Sequence, residues 1–245
     1  MARHDIRVPR LYLEGDLTLG GQLAMARGQS NYLRNVLRLP DGAEVLVFNG
    51  RDGEWMARLA GARGKATLTL VQPTRPQPAG SELLFAFAPL KHARLDYLVQ
   101  KAVEMGVGIV QPVLTQHTQV ARVNTVRMRA NAIEAAEQCG ILALPEIEEP
   151  LPLPRWLDAL PPQRVLIFCD EEAEIADPLD ALARAPVGPL AILIGPEGGF
   201  AEAERKILAD RAKVVRLSLG PRVLRADTAA VAVLALVQAM HGDWR

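Results

Sequence analysis

Apolar and polar residues alternate in short runs through the first seventy positions, the pattern of strands with one face buried. The runs are Arg10–Leu13, Leu23–Met25, Val45–Phe48, Glu54–Leu59 and Lys65–Val71. In the last of them Ala66, Leu68 and Leu70 alternate with Thr67 and Thr69. Turn residues separate the runs at Pro40-Asp41-Gly42, Asn49–Gly53 and Gly61–Gly64. One helical insert is predicted over Ser30–Leu37, capped by Ser30 or Asn31. Short strands of this kind predict a small closed barrel, because closure removes exposed edges.

The period changes after Pro73–Gly80, which holds three prolines and a glycine and predicts a linker at residues 74–80. Beyond it, apolar runs at Leu83–Ala88, Ile109–Leu114, Val165–Cys169, Leu190–Ile194 and Val214–Leu217 predict strands buried on both faces. Helical stripes fall between them. Leu95, Leu98, Val99, Ala102 and Met105 face one way, while Asp96, Gln100, Lys101 and Glu104 face the other. Val126, Ala130 and Ile133 predict a second stripe, stopping near Gly140. A last helix, about Leu224–Met240, is apolar nearly all round and predicts burial under the sheet or at a subunit interface. The expected fold class is therefore α/β with a mostly parallel sheet at 81–245, preceded by a small barrel at 1–73.

Lys+Arg and Asp+Glu both number 28, so net charge says nothing of partners. Its distribution says more. Residues 1–75 carry eleven basic and seven acidic side chains, and the remainder seventeen and twenty-one. A basic first third suggests a grip on a polyanion, with Arg34, Arg38, Arg51, Arg58 and Arg63 as candidate phosphate contacts. His92 and Arg94, just past a strand end, are further candidates. Cys139 and Cys169 have no metal or disulfide spacing and read as thiols of a reducing compartment. The N-terminus lacks the apolar core of a signal peptide, and the longest apolar stretch, Ala229–Val237, is too short to span a bilayer. The expectation is a cytoplasmic protein with no membrane partner and no metal.

Two loops carry candidate chemistry. Gly195-Pro196-Glu197-Gly198-Gly199 follows one strand and leads into a helix. Its spacing is neither that of a phosphate loop nor that of a dinucleotide fingerprint. Its glycines suit close approach to a ligand, and Glu197 suits a ribose hydroxyl or a cation. Gly220-Pro221-Arg222-Val223-Leu224-Arg225 follows another strand, and is predicted to place two arginines in the first turn of the last helix. Cations oppose the dipole there, with Asp227 as partial offset, and such local conflict tends to mark function.

Taken with Val36-Leu37-Arg38, Gln100–Val107, and Glu137-Gln138-Cys139-Gly140 with Pro145, these loops resemble the SPOUT class of RNA methyltransferases. The nearest resemblance is to the ribosomal RNA small subunit methyltransferase E family. It implies a PUA-like barrel and a C-terminal domain with a deep trefoil knot. It also implies S-adenosylmethionine as cofactor and a homodimer. The implied reaction is methylation of uridine N3 in bacterial small-subunit ribosomal RNA, free or assembled. Carried onto this chain, the cofactor residues are Ile194, Gly195, Glu197, Gly198, Leu217, Leu219, Gly220 and Leu224. Ile141 stands where the family usually has arginine, Tyr32 stands where it often has histidine, and the family often has an arginine near the position of His117.

Uracil N3 must lose its imide proton before it can attack a methyl group. Arg225 is expected to stabilise the charge that develops on the uracil oxygens, with Arg222 holding RNA. The rival readings are a non-catalytic RNA-binding protein of the same fold and a methyltransferase acting on transfer RNA.

Overall fold

A computed structural model of the chain describes residues 8–61, 66–120, 122–173 and 177–244. Arg63, Lys65 and the His92 side chain, named above, lie outside the described residues. The chain divides into two units. One comprises the residues up to Gly80 together with Ala136–Leu144, and the other Ser81–Ala135 with Pro145 onward.

In the first unit, alternation produces strands β1 (Arg10–Tyr12), β2 (Gln22–Ala24), β3 (Glu44–Phe48), β4 (Glu54–Ala60) and β5 (Thr67–Arg75). The sheet order is β1-β3-β4-β5-β2. Val45 and Val47 of β3, Ala57 and Leu59 of β4, and Leu68 and Leu70 of β5 point into one core, joined by Leu11 and Leu33. Each fully buried aliphatic side chain there contributes about 1.5–3 kcal/mol. The expected closure is not made by hydrogen bonds: β1 and β2 remain edges, with no ladder between them among the described residues. Core packing curls the sheet instead, since Leu11 of β1 and Leu23 of β2 meet the same cluster.

Two boundaries differ from expectation. Strand β5 runs through Pro73 to Arg75, so the proline-rich stretch begins inside the sheet. The helical insert starts earlier, as α1 (Arg27–Asn31), and continues as a π-helical turn over Tyr32–Val36. Its cap is Ala26, whose N–H donates to Gln29 Oε1 at 3.0 Å; neither Ser30 nor Asn31 caps it. The turn ends on Arg38, the only described non-glycine residue with positive φ (55°).

The second unit holds β6 (Leu84–Phe87), β7 (Ile109–Leu114), β8 (Glu146–Ile147), β9 (Leu151–Pro152), β10 (Val165–Cys169), β11 (Leu190–Ile194) and β12 (Val214–Leu217). They form a parallel sheet in the order β12-β10-β11-β6-β7-β8, with β9 beside β7. Helices α2 (His92–Glu104), α3 (Thr125–Cys139), α4 (Leu153–Ala159), α5 (Pro178–Ala183), α6 (Glu202–Ala209) and α7 (Ala226–His241) accompany it. Continuous apolar runs become central strands because both faces are covered. Phe168 of β10 meets Phe200 edge to face at 5.0 Å between centroids, a geometry worth about 0.5–1.5 kcal/mol beyond burial.

The expected stripe on α3 is turned. Val126 is 80% exposed, while Met128, Ala132, Ala135 and Ala136 are buried. Alanines at i+4, i+7 and i+8 carry little hydrophobic signal, yet they allow close packing. Helix α7 begins at Ala226, with Arg225 as its N-cap residue. Arg222 and Arg225 therefore precede the first turn rather than occupying it, because Asp227 is the charge that the dipole favours there.

Candidate active site

Strands β12, β10 and β11 lie side by side and end together. Ligands of open parallel sheets bind beyond such carboxyl ends. The loops that follow enclose a cleft of about 930 Å³ including its open mouth. Ile194, Gly195, Glu197, Leu217, Leu219, Gly220 and Leu224 line it. Gly198 does not. It faces away toward His117, whose Nδ1 donates to the carbonyl oxygens of Gly198 (3.1 Å) and Gly199 (3.0 Å). Two carbonyl acceptors on one nitrogen fix the proton there.

The glycines serve different ends. A Cβ on Gly195 would lie 2.5 Å from the Phe200 ring, so its missing side chain admits a core aromatic rather than a ligand. Gly220 has φ +102° and nothing within 4 Å of a built Cβ. There it is the backbone conformation that requires glycine.

Several cleft residues carried no signal in the sequence. Asp170, at the end of β10, is buried and accepts from Arg216 Nε (3.0 Å) and Nη2 (2.5 Å). Arg205 of α6 approaches Asp170 at 3.4 Å, Glu171 at 3.2 Å and also pairs with Glu172. This network joins the ends of β10 and β12 to helix α6 at the floor of the cleft. Only strand order brings Asp170 and Arg216 together, and one sequence does not reveal order. Burial, followed by the neighbouring Asp170 charge, pushes the Cys169 thiol up to about 12. Asp170 and Glu171 of the lining are paired with Arg205, and Glu197 with Arg94, so each carboxylate of the cleft has an arginine partner, with Arg222 beside them.

Arg222 lines this cleft. Arg225 is exposed and does not line the cleft, although Leu224 and Ala226 on either side of it do. Arg94 of α2 pairs with Glu197, which ties the glycine loop to the neighbouring helix.

In the first unit Arg34 requires a correction. It is buried, donates to Leu39 O (3.0 Å) and Gly61 O (2.7 Å), and pairs with Asp41. Its guanidinium closes a turn and is not offered to phosphate. Arg10 is likewise buried, on Glu54, so part of the basic surplus is internal. Arg38 and Arg58 are exposed, and Arg51 is exposed but paired with Asp16.

An RNA methyltransferase domain family matches residues 77–238, more than half the chain. An RNA methyltransferase PUA domain family matches residues 27–71. The chain belongs to the RNA methyltransferase family. Among its relatives, the Rickettsia conorii ribosomal RNA small subunit methyltransferase E is 28% identical over 232 residues, 94% of each chain. The Synechocystis protein of that name is 29% identical over 98% of this chain and 78% of its own length. The Neisseria gonorrhoeae protein of that name, solved with S-adenosylmethionine bound, superposes with a TM-score of 0.84 at 26% identity, covering 97% of this chain and all of that one. The family expected from the sequence is thereby established, and with it a mostly parallel α/β fold together with a curled sheet of the PUA type. No helix among the described residues is long and apolar enough to cross a membrane.

Proposed function

We propose that this protein transfers the methyl group of S-adenosylmethionine to N3 of a specific uridine in bacterial small-subunit ribosomal RNA, in the cytoplasm. The observation that carries the reading is the glycine-lined cleft at the ends of β10, β11 and β12, with Arg222 in its wall. The residues present suit the cofactor. Leu217, Leu219 and Leu224 offer apolar surface to an adenine, and Glu197 a carboxylate to a ribose or an ammonium group. Gly198 belongs to the same loop but acts by keeping its backbone turned to His117.

When bound, S-adenosylmethionine supplies an electrophilic methyl on a sulfonium. The chain's own part is alignment and electrostatics. Arg222 and the loop Leu217–Leu224 hold the reactants at the cleft. Arg225 stabilises the negative charge on the uracil oxygens once N3 has lost its proton. The exposed Arg38 and Arg51 contribute phosphate contacts in the PUA-like unit. We further propose that the chain between β10 and α7 forms the trefoil knot of the class and that the protein works as a homodimer. The half-buried face Val231, Ala232, Ala235 and Leu236 of α7 supports the homodimer.

Primer extension on ribosomal RNA from a strain lacking the gene tests the reading. Methylation at N3 blocks the pairing edge and stops the polymerase. One stop at a small-subunit uridine should vanish in the deletion strain and return with the gene. An unchanged set of stops refutes the proposal.

A further inference from the structure

The second unit contains another cleft, of about 910 Å³ including its mouth, lined by residues of the loops after β6 and β7 and of helices α2 and α3. It opens along the same carboxyl edge of the sheet that carries the first cleft, since β6 and β7 continue the order beyond β11. Its floor is apolar, formed by the buried Leu90, Leu95 and Met128. Its rim is cationic, with Lys91, Arg122 and Arg127 against the single carboxylate of Asp96. Arg127 grips that carboxylate, with Nε 2.9 Å from Oδ1, and Asn131 donates to the same oxygen at 2.6 Å. Lys91 and Arg122 are exposed and form no ion pair among the described residues.

The two clefts thus differ in charge along one edge. The carboxylates of the first are matched by arginines; the second has a positive rim over an apolar floor. An aliphatic floor beneath free cations is complementary to a nucleotide, whose base needs a dry face and whose phosphate needs charge. Phosphate alone would need no apolar floor, and an apolar ligand no cations. Arg94 and its partner Glu197 bridge α2, which contributes Leu95 and Asp96 to the second cleft, to the loop that lines the first.

We propose that this second cleft is a nucleotide subsite for the RNA strand that continues past the target base. Lys91 and Arg122 hold its phosphate, and Leu90, Leu95 and Met128 receive its base. The inference rests on the proposed RNA methylation and adds a grip on RNA within the second unit itself. This subsite sets affinity and strand direction, while the first cleft performs the chemistry.

The test is the double variant Lys91→Ala/Arg122→Ala, made in the full-length protein. Both side chains are exposed, so their truncation leaves the core intact. Methyl transfer from tritiated S-adenosylmethionine to small ribosomal subunits from the deletion strain gives KM at several salt concentrations. The KM for subunits should rise about tenfold, and its logarithmic dependence on salt should become shallower by about 0.7, from one lost phosphate contact on a single strand. Affinity for S-adenosylmethionine, measured by calorimetry, should match the wild type. Unchanged KM and salt slope overturn the subsite, as does a parallel loss of cofactor affinity, which would make the two clefts one. If the wild-type protein transfers no methyl to the subunits, it is the proposed function that fails.

Discussion

Glu54 accepts from Arg75 through both carboxylate oxygens, at 2.9 Å from Nε and 2.6 Å from Nη2. Arg10 Nε adds a third contact at 2.8 Å and Thr74 Oγ1 a fourth at 2.8 Å. Burial alone would raise the carboxyl, but the donors from Arg75, Arg10 and Thr74 overcome it and hold Glu54 at about 2. Its folded value therefore lies below its unfolded one. The resulting stability is fully present above pH ~4.5 and is lost as pH falls toward 2, about 3 kcal/mol in all. In urea melts between pH 2.5 and 6, Glu54→Gln should remove most of that acid dependence. At pH 7 it should cost about 3–5 kcal/mol, since two arginines lose a buried partner.

Gly195→Ala and Gly220→Ala should fail in different ways. At Gly195 the new methyl meets Phe200, which is itself packed on Phe168. Urea melts should show a loss of about 1–3 kcal/mol. At Gly220 there is room, and the cost is backbone strain of about 1–2 kcal/mol. With open space around it, the loop can relieve that strain by shifting. Calorimetry should find the larger loss of cofactor affinity in Gly220→Ala and the larger loss of stability in Gly195→Ala.

What the sequence disclosed and withheld follows from the kind of signal each residue carries. Strands β10 and β11 were legible as unbroken apolar runs because burial on both faces leaves no polar position. Strands β8 and β9, two residues each, are too short to have a period. The buried face of α3 departs from the predicted stripe because alanine is weakly hydrophobic and Val126 outweighs it in the pattern. In the site, the two glycine loops stood out locally. The Asp170, Arg205 and Arg216 network arises from the order β12-β10-β11 and was not legible. Arg34 looked like any surface arginine until the turn around it was seen to consume its donors.

Arg225→Ala and Arg222→Ala should separate alignment from chemistry. If Arg225 acts on the ionised base, kcat for subunits should fall about 100-fold, with cofactor affinity within about twofold of wild type. Arg222→Ala, in the cleft wall, should act mainly on KM. A loss of cofactor binding in Arg225→Ala would reassign that residue.

Cys169 should be chemically quiet despite facing the cleft. With its thiol pushed up to about 12, only about 0.01% is thiolate at pH 8. Alkylation by iodoacetamide, followed by peptide mass spectrometry, should be about a thousandfold slower in the native protein than in urea. Equal rates in the two states would show that the site opens freely.

The short stretch Ala136–Leu144 belongs with the first unit although it is encoded far beyond it. The backbone N–H of Tyr12 donates to Glu137 Oε1, and Arg10 and Arg75 donate to the carbonyls of Glu137 and Gly140. A nascent chain that has delivered all five strands of that unit still lacks the acceptors these donors require. The N-terminal unit is thus first to be synthesised but not first to be finished, since its last piece begins only at Ala136 and ends at Leu144. A gene cut after Gly80 would yield every strand of the sheet and still an unfinished fold.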